Sequence, residues 1–284
     1  MAQDNAWQWD PTLFQGCAAH YDVGRIPYAE GLADALGLAT PMHRTKGRLL
    51  DVGCGPGTIA LRCAHLFDEV VGLDPDADML REAARLAHTR GITNAQWVAL
   101  RAEALPANLG LFRIVTFAAS LHWLNRLQVF STVRSMLVAG GVAVHVDNPG
   151  YRRDSAAITG WAFPSPPEQA LEALRVRYLG TDRRAGQGIR NTSPDDEDAV
   201  FLAAGFAGPH IVTVPDRRVL VRSVDELVAE RFSFSGTAPH LFGDQLPAFE
   251  YDLRALLWRT SPRGYFSVPL SDNLLKIWTP VSTG

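Results

Sequence analysis

Five residues define the chemistry open to this chain: Asp51, Gly53, Gly55, Gly57 and Asp74. The glycines alternate in Asp51-Val52-Gly53-Cys54-Gly55-Pro56-Gly57-Thr58, with one acid before them and another after. Glycine permits a tight turn at φ > 0 and lets a ligand reach main-chain N–H groups that a Cβ would shield. A carboxylate roughly 20 positions beyond such a turn can accept both hydroxyls of a ribose. The spacing is not G-x-G-x-x-G, the dinucleotide fingerprint, which disfavours a nicotinamide-dependent oxidoreductase. A structural strand-to-helix turn explains the glycines but not the paired acids, so the stretch reads as a nucleotide-binding turn.

The flanking elements position these residues. Leu49–Val52 and Val70–Leu73 are apolar runs of strand length, and Ile59, Cys63, Leu66 and Phe67 recur at helical spacing between them. Asp76–Arg90 reads as a helix capped by Asp76 and ended by Gly91, with Met79, Ala83, Leu86 and Ala87 inward. Trp97–Leu100 and Phe112–Ala119 follow as strands. A helix over Arg126–Leu137 turns Leu127, Phe130, Val133 and Leu137 inward and stops at Gly140-Gly141, and Val142–Val146 is the fifth strand. Strands alternating with helices imply a parallel sheet.

Upstream, residues 1–24 carry Trp7, Trp9, Phe14 and Tyr21 with few helix signals, and one helix is expected over Arg25–Leu38 with a Tyr28, Leu32, Leu36 stripe. Downstream, helices are expected over Glu168–Tyr178, from Ser193-Pro194 to Ala204, over Ser223–Phe232 and over Leu246–Arg259. His210–Val214 reads as a strand with Arg218–Val221 extending it, and Tyr265–Val268 with Leu274–Trp278 as a final hairpin. The expected divisions are 1–148 for an N-terminal segment and nucleotide-binding core, 149–205 for a helical insertion or lid, and 206–284 for C-terminal strands that complete the sheet, with cap helices.

The 284 residues, 47% hydrophobic and 20% charged, describe a soluble globular chain with ample core. A net charge of -3 supplies no general attraction to nucleic acid or an anionic membrane. The three cysteines include no C-x-x-C pair, so neither zinc nor a disulfide framework is expected. No basic-then-apolar leader opens the sequence, and no apolar run nears the roughly 20 residues of a membrane span. The expected location is cytoplasmic.

Leu49–Thr58 resembles motif I of the class I S-adenosylmethionine (SAM) methyltransferases, and Gly72-Leu73-Asp74 is similar to their second-strand motif. The resemblance covers residues 18–148 well. It implies a Rossmann-like, doubly wound, mostly parallel seven-stranded α/β sheet with an α-helical cap or insertion, and SAM as cofactor. It further implies that Asp51, Gly53, Cys54 and Gly55 surround the methionine part, that Asp74 takes the ribose, and that Pro75 and Met79 lie near the ribose or adenine. Arg101-Ala102-Glu103-Ala104-Leu105-Pro106 resembles an acid-Ala-Glu-x-Leu-Pro loop that borders the adenine, with Arg101 in place of the acid. Ala102, Glu103 and Ala104 are then candidates to hold the base. Arg113 likewise replaces an Asp at the fourth strand's entrance. Tyr21 and Arg25 match a Tyr-x-x-x-Arg-x-x-Tyr segment that folds over the cofactor in one small-molecule branch, and Ala118, Ser120, His122 and Trp123 match its fourth-strand edge.

Methyl transfer from a sulfonium is an in-line displacement, so alignment is the protein's main task. A general base helps where the acceptor carries a proton. His122 is the first candidate, with Tyr21, His20, His145, Asp147 and His240 as others; Asp147 and His240 are also candidate acceptor contacts, and His145 reads as structural. The expected function is methyl transfer to an O, N or C atom of a small molecule, with specialised metabolism as a suggestion of the resemblance. Aromatics after residue 160 (Trp161, Phe163, Phe232, Phe234, Phe242, Phe249, Tyr251, Trp258) suit either an apolar acceptor or a core. The rivals are an RNA or protein methyltransferase and a non-catalytic SAM-binding module. The arginines at 175, 177, 183, 184 and 190 suit an anion or a solvated face. Ala119-Ser120-Leu121-His122-Trp123 stands where base methylases carry an Asn/Asp-Pro-Pro-aromatic run, which argues against nucleic acid.

Overall fold

The computed structural model describes residues 10–40, 47–147, 160–182, 184–185, 188–189 and 197–281. Two short helices come first, α1 (Ala18–Gly24) and α2 (Leu32–Gly37). The sequence predicts one helix over 25–38. Pro27 breaks it, because the residue before a proline is pushed toward extended backbone, and Arg25 is already extended at ψ 142°. The apolar stripe survives the break, with Tyr28, Leu32 and Leu36 all buried. Trp7 and Trp9 lie outside the described residues.

The chain then alternates β1 (Arg48–Val52), α3 (Thr58–Cys63), β2 (Glu69–Asp74), α4 (Ala77–Thr89), β3 (Ala95–Ala99), β4 (Phe112–Ala118), α5 (Arg126–Ser135) and β5 (Leu137–Asp147). After it come α6 (Glu168–Leu179), a short ribbon of β6 (Arg184–Ala185) and β7 (Gly188–Ile189), α7 (Glu197–Ala203), β8 (Phe206–Val214), β9 (Val219–Ser223), α8 (Val224–Phe232), α9 (Leu246–Thr260), β10 (Tyr265–Pro269) and β11 (Asn273–Pro280). The expected start of α7 at Ser193-Pro194 lies outside the described residues.

Seven strands form one sheet in the order β3-β2-β1-β4-β5-β11-β8. It is parallel except for β11, which runs antiparallel to both β5 and β8. This is the mostly parallel, doubly wound sheet expected from the sequence. Strand order reverses between β1 and β4, and ligands of open α/β sheets bind outside the carboxyl ends at such a point.

Alternation along each strand feeds two cores. Leu49, Val70, Ile114, Val144 and Leu275 pack with α2 and α3 on one face. Leu50, Val71, Phe117 and Trp278 pack with α5 and α7 on the other. There Phe201 stacks on both Phe130 and Trp278, at 3.8 and 4.7 Å between centroids. A third core joins α6, α8, α9 and Phe266 of β10 into the cap. Phe232, Phe242 and Phe249 belong to it, so these three aromatics are structural. Tyr251 and Trp258 are exposed.

Four further expectations change. The hairpin over 265–278 does not form: β10 pairs with β9, and β11 enters the large sheet. Leu275 and Trp278 serve opposite cores, so β11 must be covered on both faces, whereas Phe266 serves the cap core. Residues 218–221 do not extend β8; Pro215 separates it from β9. Gly140-Gly141 does not end α5 but sits in a register shift inside β5, between the pairs Phe112↔Leu137 and Ile114↔Val142. Leu127 points to solvent, 51% exposed. The anion-binding option also weakens: Arg175 is buried and bidentate with Glu172, and Arg177 pairs with Asp252 at 2.8 Å. Arg183 and Arg190 lie outside the described residues, as does the side chain of Arg184.

Candidate functional site

The glycine turn leaves β1 at the switch point. Gly53, Gly55 and Gly57 sit at φ 69°, 52° and 79°, a region costly for residues with a Cβ. They are required for different reasons. A Cβ on Gly53 would lie 2.6 Å from Ser120 Cβ, and one on Gly57 2.5 Å from the Trp97 ring. A Cβ on Gly55 would meet only Tyr21, at 4.0 Å, so this glycine faces open space. The N–H groups of Gly53 and Cys54 both donate to Leu73 O, at 2.8 and 3.1 Å, and tie the turn to the end of β2.

Asp74 ends β2 beside that turn. Its Oδ2 accepts from Gly55 N–H (2.8 Å) and its Oδ1 from Asp76 N–H (2.9 Å). Each carboxylate oxygen has a second lone pair free for a ligand. Burial pushes the Asp74 carboxyl up to about 6, against the pull of these two N–H groups. Asp51, 1% exposed, accepts from Thr116 Oγ1 at 2.8 Å, and burial pushes its carboxyl up to about 7.

The Asp51 shift has a testable consequence. Its folded value lies above the ordinary 3.8, so the stability it contributes is full below that value and is lost as pH rises through about 7. Asp51→Asn removes this dependence. In urea unfolding the variant should match wild type near pH 4 and exceed it at pH 8 by on the order of 2 kcal/mol. Parallel pH profiles of the two proteins would contradict this.

A cleft of about 670 Å³, counting the solvent space at its mouth, opens above these residues. Gly53, Gly55, Asp74 and Pro75 line it on the side of the glycine turn, with Met79, against which Phe14 and Tyr21 pack, beside them. Ala102 and Glu103 border one end, and Ala118, Ser120 and Trp123 the edge of β4. Ser120 is fixed by its Oγ donating to Val52 O at 2.7 Å. Its neighbour Ala119 holds φ 54°, a strained conformation for alanine. Tyr21 and Phe14 close the top, and the Phe14 ring meets Trp123 edge-on at 6.0 Å.

Eleven residues singled out in the sequence thus border one cleft: Tyr21, Gly53, Gly55, Asp74, Pro75, Met79, Ala102, Glu103, Ala118, Ser120 and Trp123. Asp51 and Cys54 are buried just beneath it. Ala104 points to solvent. His122 is exposed beside the cleft, its ring 4.4 Å from that of Trp123. Arg25 is engaged elsewhere: its guanidinium lies between the rings of Tyr21 and Phe234, at 4.6 and 4.4 Å, and donates to Ser233 O. It therefore fixes Tyr21 to the cap. His240 Nδ1 lies 3.0 Å from Gln15 O and joins the same two segments. Asp147 is half-buried at the end of β5 and does not border the cleft. His145 is buried, with Nδ1 3.4 Å from Glu197, and burial lowers its basicity. His20 packs on Phe232.

Leu73, Ala119, Leu124, Phe14 and Arg101 also border the cleft. Leu73 and Ala119 stand inside motifs read from the sequence, Phe14 is one of several aromatics near the N-terminus, and Arg101 stands at the position of an acid; Leu124 is not singled out by the sequence. Two buried acids below and aromatic rings above suit a ligand that combines a diol with positive charge. Among the described residues no group of side chains could hold a metal ion, and no helix is long and apolar enough to cross a membrane.

The methyltransferase-domain family pattern matches residues 49–141. Uncharacterized methyltransferase Rv0089 of Mycobacterium tuberculosis is 30% identical over 155 residues, 46% of this chain and 76% of that one. Malonyl-(acyl-carrier protein) O-methyltransferase of Geobacter sulfurreducens is 27% identical over 248 residues, 80% and 92% of the two chains. Uncharacterized methyltransferase YcgJ of Bacillus subtilis is 32% identical over 95 residues, 34% of this chain. That match spans 38% of YcgJ, about two-fifths of its length. The crystal structure of YcgJ shares the fold, with a TM-score of 0.50 at 18% identity over 88% of this chain and 98% of that one. With the glycine turn, the acid closing β2 and the reversed strand order, these matches place the chain in a family whose methyl donor is SAM: it belongs to the class I SAM-dependent methyltransferases.

Proposed function

We propose that this protein transfers a methyl group from SAM to an oxygen of a small molecule, a carboxylate or small acyl group. The observation that carries the proposal is the cleft itself, lined by Asp74 and the glycine turn and by the aromatic side chains of Phe14, Tyr21 and Trp123. The residues present fit the donor: Gly55 leaves open the space a side chain would fill, and Asp74 keeps acceptor capacity for two hydroxyls. Bound SAM supplies an activated methyl group on a cationic sulfur. Asp74 orients the sugar, the backbone at Gly53 and Gly55 admits the amino-acid part, and Phe14, Tyr21 and Trp123 exclude water. An acceptor that is already ionised needs no strong base. Among the described residues, the titratable side chains bordering the cleft are Tyr21, Asp74, Arg101 and Glu103, with no histidine or lysine. The Geobacter relative, an O-methyltransferase of a malonyl group by its name, supports the same acceptor class.

Radiolabelled SAM, incubated with the protein and a panel of small carboxylic acids and acyl thioesters, should label a small product. Label confined to RNA or protein, or no label with any acceptor, would contradict the proposal. Tyr21 is the better placed of the two catalytic candidates. Tyr21→Phe should slow turnover by about tenfold, the loss of one hydrogen bond, with affinity for S-adenosylhomocysteine within about threefold of wild type. A loss of 10² or more would mark Tyr21 as a general base and count against an ionised acceptor. His122→Ala should change turnover by less than about threefold, near the low end of one hydrogen bond's net worth.

A further inference from the structure

Arg101 borders the cleft where the family pattern has an acid. A guanidinium donates five hydrogen bonds and accepts none, so it cannot receive one from a ring amino group. Glu103 is the acceptor side chain at that end of the cleft. Its carboxylate is held on two sides: Oε1 accepts from Asn125 N–H at 2.9 Å, and Oε2 lies 3.3 Å from Arg101 Nε. Gln128 Nε2 donates to Glu103 O at 3.0 Å and fixes its backbone. Asn125 caps the ten-residue α5, so the carboxylate also sits at a helix N-terminus, where negative charge is favoured. The Glu103 side chain is 17% exposed, against 48% for Arg101. Held this way, the carboxylate still has lone pairs beyond those two contacts, and it borders the cleft.

We infer that Glu103 accepts a hydrogen bond from the exocyclic amino group of the donor's purine, and that Arg101 is a positioning residue that holds Glu103 for this contact. The inference rests on the assignment of the cleft to SAM. Glu103 thereby assumes, from two residues further on, the role of the missing acid, and the arginine becomes its support.

Calorimetric titration with S-adenosylhomocysteine and with its purine analogue, in which hydrogen replaces the amino group, tests it without turnover. Wild type should prefer the amino form by at least about tenfold, since loss of the ligand's donor leaves a carboxylate unmet. In Glu103→Ala the preference should fall to within about threefold, the coupling expected for two groups in contact. Arg101→Ala should reduce the preference, and Arg101→Lys, which keeps a cation, should restore part of it. An unchanged preference in Glu103→Ala, with S-adenosylhomocysteine still bound, would overturn the inference and leave the donor site standing. An unchanged preference in Arg101→Ala would remove the positioning role. Wild type failing to bind S-adenosylhomocysteine would overturn the donor site itself, and the inference with it.

Discussion

Asp74→Ala is expected to weaken binding of S-adenosylhomocysteine by at least about tenfold in calorimetric titration, the loss of one or two hydrogen bonds to a charged acceptor. Asp74 is the acid that meets both the glycine turn and the following helix, through Gly55 N–H and Asp76 N–H. It is buried at 9% exposure and borders the cleft. Its raised value of about 6 gives the effect a pH signature. Below that value the free protein carries a protonated acid, and one oxygen becomes a donor facing the sugar's donors. Wild-type affinity should therefore fall as pH drops from 7.5 to 5, and Asp74→Ala should flatten this limb. Unchanged affinity in the variant would exclude Asp74 from the sugar contact.

Arg222→Ala is expected to destabilise the fold by about 3–5 kcal/mol in urea unfolding, the cost of stranding a buried charge. Arg222 is 3% exposed and its partner Glu230 4%, with 3.2 Å between Nη1 and Oε2. Burial already holds the Glu230 carboxyl above its ordinary range, although Arg231 and Arg222 oppose the shift. Arg222 Nη2 also donates to Val23 O, Gly24 O and Glu226 O, so it joins the end of α1 to the start of α8. Gly24 permits that approach: a Cβ there would lie 2.5 Å from the Ala229 backbone. The same change should loosen the helix that carries Tyr21. Adding Glu230→Gln should recover part of the stability by removing the stranded charge. A single-variant cost below about 1 kcal/mol would show that the pair is solvated.

The nucleotide-binding half was legible because its signals are local. Glycines at positions requiring φ > 0, an Asp76 cap whose side chain accepts from Asp78 and Met79 N–H, and apolar runs of strand length each specify their own element. The C-terminal half was less legible because its pairings are distant. Nothing in Tyr265–Val268 states that its partner lies some forty residues upstream, and Leu274–Trp278 reads alike in a hairpin or in a central sheet. Gly140-Gly141 resembles a helix stop because a bulge and a stop both call on glycine. In the cleft, Gly55 and Asp74 were readable from spacing, whereas Leu124 and Ala119 reach it only through the fold of the 118–124 turn. Arg25 was assigned to the ligand from its neighbours in sequence; its rings and carbonyl partners, Phe234 and Ser233, lie more than 200 residues away.

A crystal structure of the protein with S-adenosylhomocysteine tests the donor site most directly. The expected result is both ribose hydroxyls within hydrogen-bond distance of the Asp74 carboxylate, with the amino-acid part over Gly53 and Gly55 beneath Tyr21. A ligand bound away from Asp74, or no ligand at concentrations that saturate related methyltransferases, would contradict it.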